Sequence, residues 1–224
     1  MRALASLAAL ALPIAARAAD ADDGLCRNGL FAESNPAPGL AVIKGKARAS
    51  FYGDMDGCPQ AGERCRLRSY LIGGDRVVTG RSTGGWTCVF YPGGGGGTAG
   101  WMENARLAAV PVNPQPAITA WLGDWQSDGA RFVSLRRKGA GLAIKGMAFW
   151  PTRNPDPRER PGGPNIGEID GAARPKGNSL FEEGCSVRFV LLGDWLVASD
   201  PTRDCDGMNV TFSGVYKRAP AKRR

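Results

Sequence analysis

The chain has 224 residues, a formal net charge of +8, six cysteines and no histidine. The absence of histidine excludes Ser-His-Asp and Cys-His catalytic groups and removes a common ligand of zinc. The 32 glycines and 16 prolines separate short runs of β-branched and aromatic residues, and long runs with helical periodicity are missing. This composition predicts an all-β protein.

The first 18 residues have the pattern of a secretory signal peptide. Arg2 precedes an apolar run from Ala3 to Leu12, and Ala16-Arg17-Ala18 supplies small residues for cleavage. The run is too short to cross a bilayer, which takes about 20 apolar residues, and no later segment is apolar enough. We therefore expect cleavage after Ala18 and export to the periplasm, with release to the extracellular medium as the alternative and no transmembrane segment.

The six cysteines all follow residue 18, and an even number of cysteines in an exported chain predicts disulfides. The spacing favours three pairs, namely Cys58 with Cys65 across a short loop, Cys185 with Cys205 as the pair of the C-terminal half, and Cys26 with the remaining Cys88. Each disulfide would contribute about 2–4 kcal/mol to stability. With all thiols oxidised, no cysteine would act as a nucleophile.

Short strands are predicted along the whole chain. Those of the first half are Leu40–Lys44, Ala47–Tyr52, Arg66–Ile72, Arg76–Thr79, Trp86–Tyr91 and Gly100–Met102. Those of the second half are Trp121–Gln126, Arg131–Arg137, Leu142–Phe149, Glu168–Ala172, Ser186–Leu192, Trp195–Ser199 and Asn209–Lys217. Three prolines make residues 111–118 a stiff linker between the two halves. We expect an N-terminal segment (19–45), two small β-domains (46–110 and 119–218) and a basic tail (219–224).

The first domain resembles a bacterial SH3 domain (SH3b type), a small barrel of five to six strands. The resemblance rests on Phe51-Tyr52, the strand–turn–strand Tyr70–Val78, Gly85-Trp86 followed by Val89–Tyr91, and the closing Gly100-Trp101. Such domains bind cell-wall peptides or extended protein segments. The resemblance therefore implies a groove whose aromatic side chains are Tyr52, Trp86 and Tyr91, although some of these rings are also needed to fill a small barrel.

The second domain is similar to an uncharacterised exported bacterial domain that often follows an SH3 module. The carrying residues are Trp121-Leu-Gly-Asp-Trp125 and the closing Cys205-Asp-Gly-Met-Asn-Val-Thr-Phe-Ser-Gly-Val-Tyr216, in which Asp206 replaces a glycine of the pattern. We expect an antiparallel β-barrel or sandwich, with Trp121, Trp125 and Tyr216 in its core. Periplasmic lysozyme inhibitors include barrels of similar shape, but that analogy transfers no residues.

Carboxylates are the remaining candidates for chemistry. Glu168 and Asp170 would share one face of a strand, whereas the adjacent Glu182 and Glu183 would point to opposite faces. Alternating acids on a solvent-exposed face are the commoner explanation of the first pair. Asp54-Met-Asp56-Gly57 and Asp204-Cys-Asp206-Gly207 resemble fragments of a calcium loop but lack its further acids. We predict no catalytic residue, no metal and no cofactor.

The function that these patterns favour is non-catalytic binding of a cell-wall peptide or an envelope protein segment in the periplasm. A lysozyme inhibitor and a carboxylate-dependent cell-wall hydrolase are the alternatives. Nucleic acid is not an expected partner, because the chain is exported and contains no base-reading motif. The basic tail could hold weakly to an anionic surface, although a solvated chain end is the favoured interpretation.

Overall fold

The computed structural model describes residues 25–35, 37–205 and 207–220. The predicted signal peptide, Asp206 of the second calcium-loop fragment and the last four residues of the basic tail lie outside these ranges. Within them the protein is nearly all-β, with two antiparallel sheets. The all-β prediction is confirmed.

The first sheet has seven strands in the order β3-β2-β6-β5-β4-β1-β7. These strands are β1 (Gly39–Ile43), β2 (Ala49–Tyr52), β3 (Arg66–Leu71), β4 (Arg76–Thr83), β5 (Trp86–Tyr91), β6 (Thr98–Glu103) and β7 (Leu107–Val110). Short 3₁₀ turns precede β3 at Gly62–Cys65 and β7 at Asn104–Arg106. Strand β1 pairs with both β4 and β7, so the sheet begins at Gly39, before residue 46 where the first domain was expected to start.

The second sheet has eight strands in the order β11-β10-β9-β8-β15-β14-β13-β12. A third 3₁₀ turn, Ile118–Ala120, leads into it. Its strands are β8 (Gly123–Gln126), β9 (Arg131–Lys138), β10 (Gly141–Trp150), β11 (Asn165–Ala173), β12 (Ser179–Glu182), β13 (Val187–Leu192), β14 (Trp195–Ser199) and β15 (Gly214–Arg218). Because neighbours in sequence pair along the sheet and β15 pairs with β8, the sheet curls into a nearly closed barrel with a seam between β11 and β12.

Two short strands, β7 and β12, were not predicted, and one predicted strand is only partly formed. The prediction of a strand over Asn209–Lys217 is wrong for its first half, since the strand begins at Gly214. Asn209 has a φ of 65°, which a strand does not allow, and the backbone N–H of Phe212 donates to the Asp200 carboxylate at 2.8 Å. The Asp200 carboxylate thus accepts the hydrogen bond that a neighbouring strand would otherwise accept.

Each sheet encloses its own core. In the first module (residues 25–110) the interior contains Ala41, Ile43, Phe51, Leu71, Val77, Val89 and Met102. The second module (residues 117–220) is filled by large side chains, and Trp121, Trp125 and Tyr216 are all buried, as predicted. The Trp125 indole N–H donates to the Trp121 carbonyl at 3.0 Å, and the Tyr216 hydroxyl donates to the Phe212 carbonyl at 2.7 Å. The barrel interior is therefore a packed core.

A third apolar cluster joins the two modules. It contains Phe31 and Phe90 of the first module together with Leu192, Val197 and Val215 of the second, and all five side chains are buried. Polar contacts lie around it, for example the Arg203–Glu33 ion pair at 3.5 Å. The two modules therefore pack against each other through an apolar interface in which the segment before β1 takes part.

Three disulfides hold the chain: Cys26–Cys88, Cys58–Cys65 and Cys185–Cys205. These are the pairs that the spacing favours. The first ties the N-terminal segment to β5, the second closes the loop between β2 and β3, and the third lies beside the barrel seam. In the described part of the chain, every cysteine is paired.

Candidate binding site

The predicted groove aromatics do not all lie together. Tyr52 and Trp86 are in contact, with ring centroids 4.5 Å apart and the rings edge to face. Tyr91 lies on the same strand as Trp86 but an odd number of residues away, so the alternation of a strand places it on the opposite face. There it packs against the interior core of the first module. The structure thus brings Tyr52 and Trp86 together and places the half-buried Tyr91 against the core of the first module.

Tyr52 is the more buried member of the pair, while Trp86 is half-buried. The Tyr52 hydroxyl donates to the Glu63 carboxylate at 3.3 Å. Burial raises the pKa of the Tyr52 phenol, and the nearby carboxylates of Glu63 and Glu103 raise it further. The phenol is therefore a neutral hydrogen-bonding group at physiological pH, and its ring forms part of the wall of a cleft.

That cleft, which we call the loop cleft, has a volume of about 680 Å³ and opens between the N-terminal segment and the loop closed by Cys58–Cys65. Tyr52, Arg27, Met55, Arg64 and Leu67 are among the residues that line it. The Met55 side chain is 56% exposed and that of Leu67 is 42% exposed. Two large apolar side chains thus face solvent beside an aromatic ring, which is the composition of a recognition surface.

One wall of the loop cleft is fixed by Asp54. Its carboxylate accepts two hydrogen bonds from the Arg27 guanidinium, at 2.7 and 2.9 Å, and one from the Cys26 backbone N–H at 2.9 Å. Burial by itself would raise the pKa of Asp54, but these hydrogen bonds and the charge of Arg27 lower it overall. Asp54 therefore acts as an anchor for the N-terminal segment, and its oxygens are occupied by protein donors.

The second module offers a groove on its outer face. This outer groove has a volume of about 960 Å³ and lies across β8 to β11. Phe132, Met147 and Phe149 form its apolar floor, and the guanidinium of Arg153 lies 5.5 and 5.9 Å from the two phenylalanine ring centroids. The loop after β10 therefore packs over the floor through cation–π contacts.

The candidate acid pair lies at this groove, and both side chains are exposed on the same face of β11. Asp170 forms an ion pair with Lys145 at 3.1 Å, and the two side chains are 75% and 70% exposed. Glu182, by contrast, is buried at the seam, where its carboxylate accepts hydrogen bonds from the backbone N–H groups of Gly184 and Cys185. Glu182 therefore serves the fold, and Glu168 and Asp170 form a solvated face.

Among the residues that the structure describes, no group of three or more His, Cys, Asp or Glu side chains is placed to hold a metal ion. Within the same residues, no helix is long and apolar enough to cross a membrane.

The prediction from sequence missed the loop cleft. Its two exposed apolar residues, Met55 and Leu67, stand in a loop and on an edge strand, where no periodicity marks them. The available signal was the Cys26–Cys88 pair, since a disulfide to β5 brings Arg27 toward the start of the loop that holds Asp54.

The chain matches no protein-family model, no curated protein and no solved structure.

Proposed function

We propose that this chain is an exported, non-catalytic binding protein of the periplasm. Its first module, an SH3-like barrel, recognises an extended cell-wall peptide or a segment of an envelope protein. The second module supports the first through the shared apolar interface.

The observation that carries the proposal is the loop cleft. It combines an aromatic wall (Tyr52), two exposed apolar side chains (Met55 and Leu67) and the cationic Arg64 in one concave surface, in which the charge of Arg27 is paired with Asp54. An extended peptide presents alternating side chains and backbone polar groups, and such a surface offers contacts to both. The Cys58–Cys65 disulfide closes one side of the cleft, which lowers the entropy lost when a ligand binds.

Several groups that catalysis would use are committed elsewhere. The chain has no histidine, and the described cysteines are all oxidised. The least exposed carboxylates are held by donors of the protein itself: Asp54 by Arg27, Glu182 by two backbone N–H groups, and Asp200 by the N–H groups of Arg203 and Phe212. Binding therefore fits these residues better than acid–base chemistry does.

Export is supported by the disulfides, because intramolecular disulfides persist in oxidising compartments such as the periplasm. All three disulfides, two of which fix the loop cleft, would be lost under reducing conditions. The direct check is to express the full chain in a Gram-negative host and sequence the N-terminus of the periplasmic fraction. We expect it to begin at Ala19; full-length material confined to the cytosol would contradict export.

The binding test uses purified, insoluble peptidoglycan and a periplasmic extract immobilised on beads. Wild-type protein should be retained, and Leu67→Glu and Trp86→Ala should both be retained less. The matched control is Phe181→Glu, which places the same charge at an exposed apolar position of the second module, 49% exposed. Equal retention of wild type and Leu67→Glu, or no retention of wild type on either matrix, would contradict the proposal.

The second candidate, inhibition of a lysozyme, is favoured by one observation, the nearly closed barrel of eight strands in the second module. It predicts that an excess of protein slows the lysis of bacterial cells by lysozyme, and that substituting Met147 or Arg153 in the outer groove restores lysis. Undiminished lysis at saturating protein removes this candidate.

A further inference from the structure

The first sheet ends in a strand whose outer edge carries no partner. Strand β3 pairs with β2 alone, and no other described strand lies on its far side. Five consecutive residues, Arg66 to Tyr70, are exposed. The backbone N–H and C=O groups along such an edge can form hydrogen bonds with an extended segment that adds as a further strand.

The side chains around this edge are cationic. Arg66 and Arg68 are both exposed on β3, and Arg48 lies nearby with its guanidinium carbon 4.2 Å from the centroid of the Tyr70 ring. Among the described residues, the ion pair at this edge is Arg66–Glu63 at 3.1 Å; its side chains are 56% and 72% exposed, so water screens it. The edge therefore presents a positive field to solvent.

The same strand leads into the loop cleft. Leu67 lines the cleft near the start of β3, and the residue before the strand, Cys65, forms the disulfide that closes the adjoining loop. At the other end of β3, Ile72 is 55% exposed and Tyr70 is 44% exposed. An extended segment lying along β3 could thus place apolar side chains at both ends and a terminal residue in the cleft.

We propose that β3 is the docking edge for an extended anionic peptide, which adds to the first sheet as an eighth strand with its carboxylates facing Arg48, Arg66 and Arg68. This inference deepens the proposed function by naming the chemistry of the ligand, and it rests on that function. The aromatic pair Tyr52–Trp86 is not part of the docking edge.

Charge and backbone chemistry select this occupant over two others. A second copy of the chain would bring its own arginines against the same edge, and like charges facing each other across paired strands are destabilising. A proline-rich segment lacks the backbone N–H groups that a strand ladder requires. An acidic segment without proline meets both requirements.

The test measures fluorescence anisotropy of a labelled, N-acetylated octapeptide of alternating glutamate and valine, titrated with the oxidised mature protein. Wild type should bind, and affinity should fall as salt is added because exposed charges are screened. Arg66→Glu/Arg68→Glu should bind about tenfold more weakly or worse, since two attractions become repulsions. Arg137→Glu/Arg188→Glu, at exposed strand positions of the second module with the same change of net charge, should bind as wild type does.

Two further peptides separate strand addition from simple charge attraction. The same octapeptide with an N-methyl group on every backbone nitrogen keeps its charge but has no N–H to donate to the ladder, and it should not bind. An octapeptide of alternating lysine and valine should not bind either. Equal binding of the N-methylated peptide, or equal binding by the Arg66/Arg68 variant after its fold is verified by circular dichroism, overturns the inference, as does failure of wild type to bind.

Peptidoglycan retention distinguishes this inference from the proposed function. If peptidoglycan retains wild type and the Arg66/Arg68 variant equally, the docking edge is wrong and the proposed function stands. If wild type binds the acidic octapeptide but neither peptidoglycan nor envelope extract, the proposed function fails and the edge stands. If phosphatidylglycerol vesicles bind wild type while the octapeptide does not, the occupant is an anionic surface, which overturns the peptide assignment.

Discussion

Phe31 links the N-terminal segment to both modules, and its truncation tests whether the two modules fold as one unit. Its side chain is 2% exposed, and its ring centroid lies 5.5 Å from that of Phe90. Phe31 also belongs to the apolar cluster that contains Leu192, Val197 and Val215 of the second module. Phe31→Ala removes a fully buried ring and leaves a cavity at this interface.

A buried phenylalanine truncated to alanine costs about 3–5 kcal/mol, and the lost ring pair with Phe90 is part of that cost. Single domains are stable by only about 5–15 kcal/mol, so the change is a large share of the total. Because the cluster is shared, we expect the loss to be felt in the second module as well as in the first.

The assay is guanidinium unfolding of the oxidised protein, combined with hydrogen exchange read peptide by peptide from both modules. Wild type should unfold in one transition, and Phe31→Ala should shift its midpoint to lower denaturant with the same slope. Protection should fall together in β5 of the first module and in β14 and β15 of the second. The control Phe181→Ala, at a position 49% exposed, should change stability by less than about 0.5 kcal/mol.

Two results would refute this reasoning. The first is a loss below about 1 kcal/mol, which would mean that the interface contributes little. The second is a wild-type curve with two separate transitions, of which only the earlier one moves, because that is the behaviour of two modules that unfold independently.

Three further predictions concern buried polar groups. The pKa of Asp54 is lowered in the folded protein, so the stabilising contribution of this carboxylate is present above the ordinary pKa of 3.8 and is lost as the pH falls through the lower folded-state pKa. The Asp54→Asn variant should therefore unfold more easily at pH 7 and lose less stability on acidification. Thermal melts from pH 7 to pH 2 measure both effects. Burial raises the pKa of Tyr216 well above its ordinary value, so the stability of the protein should fall as the pH rises above 10. Tyr216→Phe removes the hydrogen bond to the Phe212 carbonyl; it should cost about 1 kcal/mol of stability but flatten the alkaline loss. A Tyr216 phenol that ionises in the folded protein would contradict this prediction. A Cβ at Gly171 would stand 2.3 Å from the Glu182 carboxylate, so Gly171→Ala should destabilise the barrel by about 1–3 kcal/mol. An unchanged unfolding midpoint would show that the seam between β11 and β12 is not tightly packed.

Much of the fold could be predicted because its signals are local. Gly- and Pro-punctuated runs of β-branched and aromatic residues marked most strands, and the large aromatic residues Trp121, Trp125 and Tyr216 lie in the core as their size suggests. The missed strands, β7 and β12, have four residues each, which is too short for alternation to be distinctive.

The rest depends on long-range pairing. Tyr91 shares a strand with Trp86, and only their odd separation, read together with a confirmed strand, shows that they face opposite sides. Asp200 directly follows β14, and nothing local shows that its carboxylate accepts a hydrogen bond from the backbone N–H of Phe212, twelve residues away. The docking edge could not be predicted either, because β3 can be identified as an edge strand only when the order of all strands in the sheet is known.

The measurement that most directly tests the proposed binding is chemical-shift mapping of the ¹⁵N-labelled, oxidised protein with a soluble stem-peptide fragment of peptidoglycan and, separately, with the acidic octapeptide. We predict that both ligands perturb amides of β3 and of the loop cleft, above all Met55, Leu67 and Arg68, and leave the outer groove of the second module unchanged. Perturbations confined to Phe132, Met147 and Phe149, or none at millimolar ligand, would contradict binding by the first module.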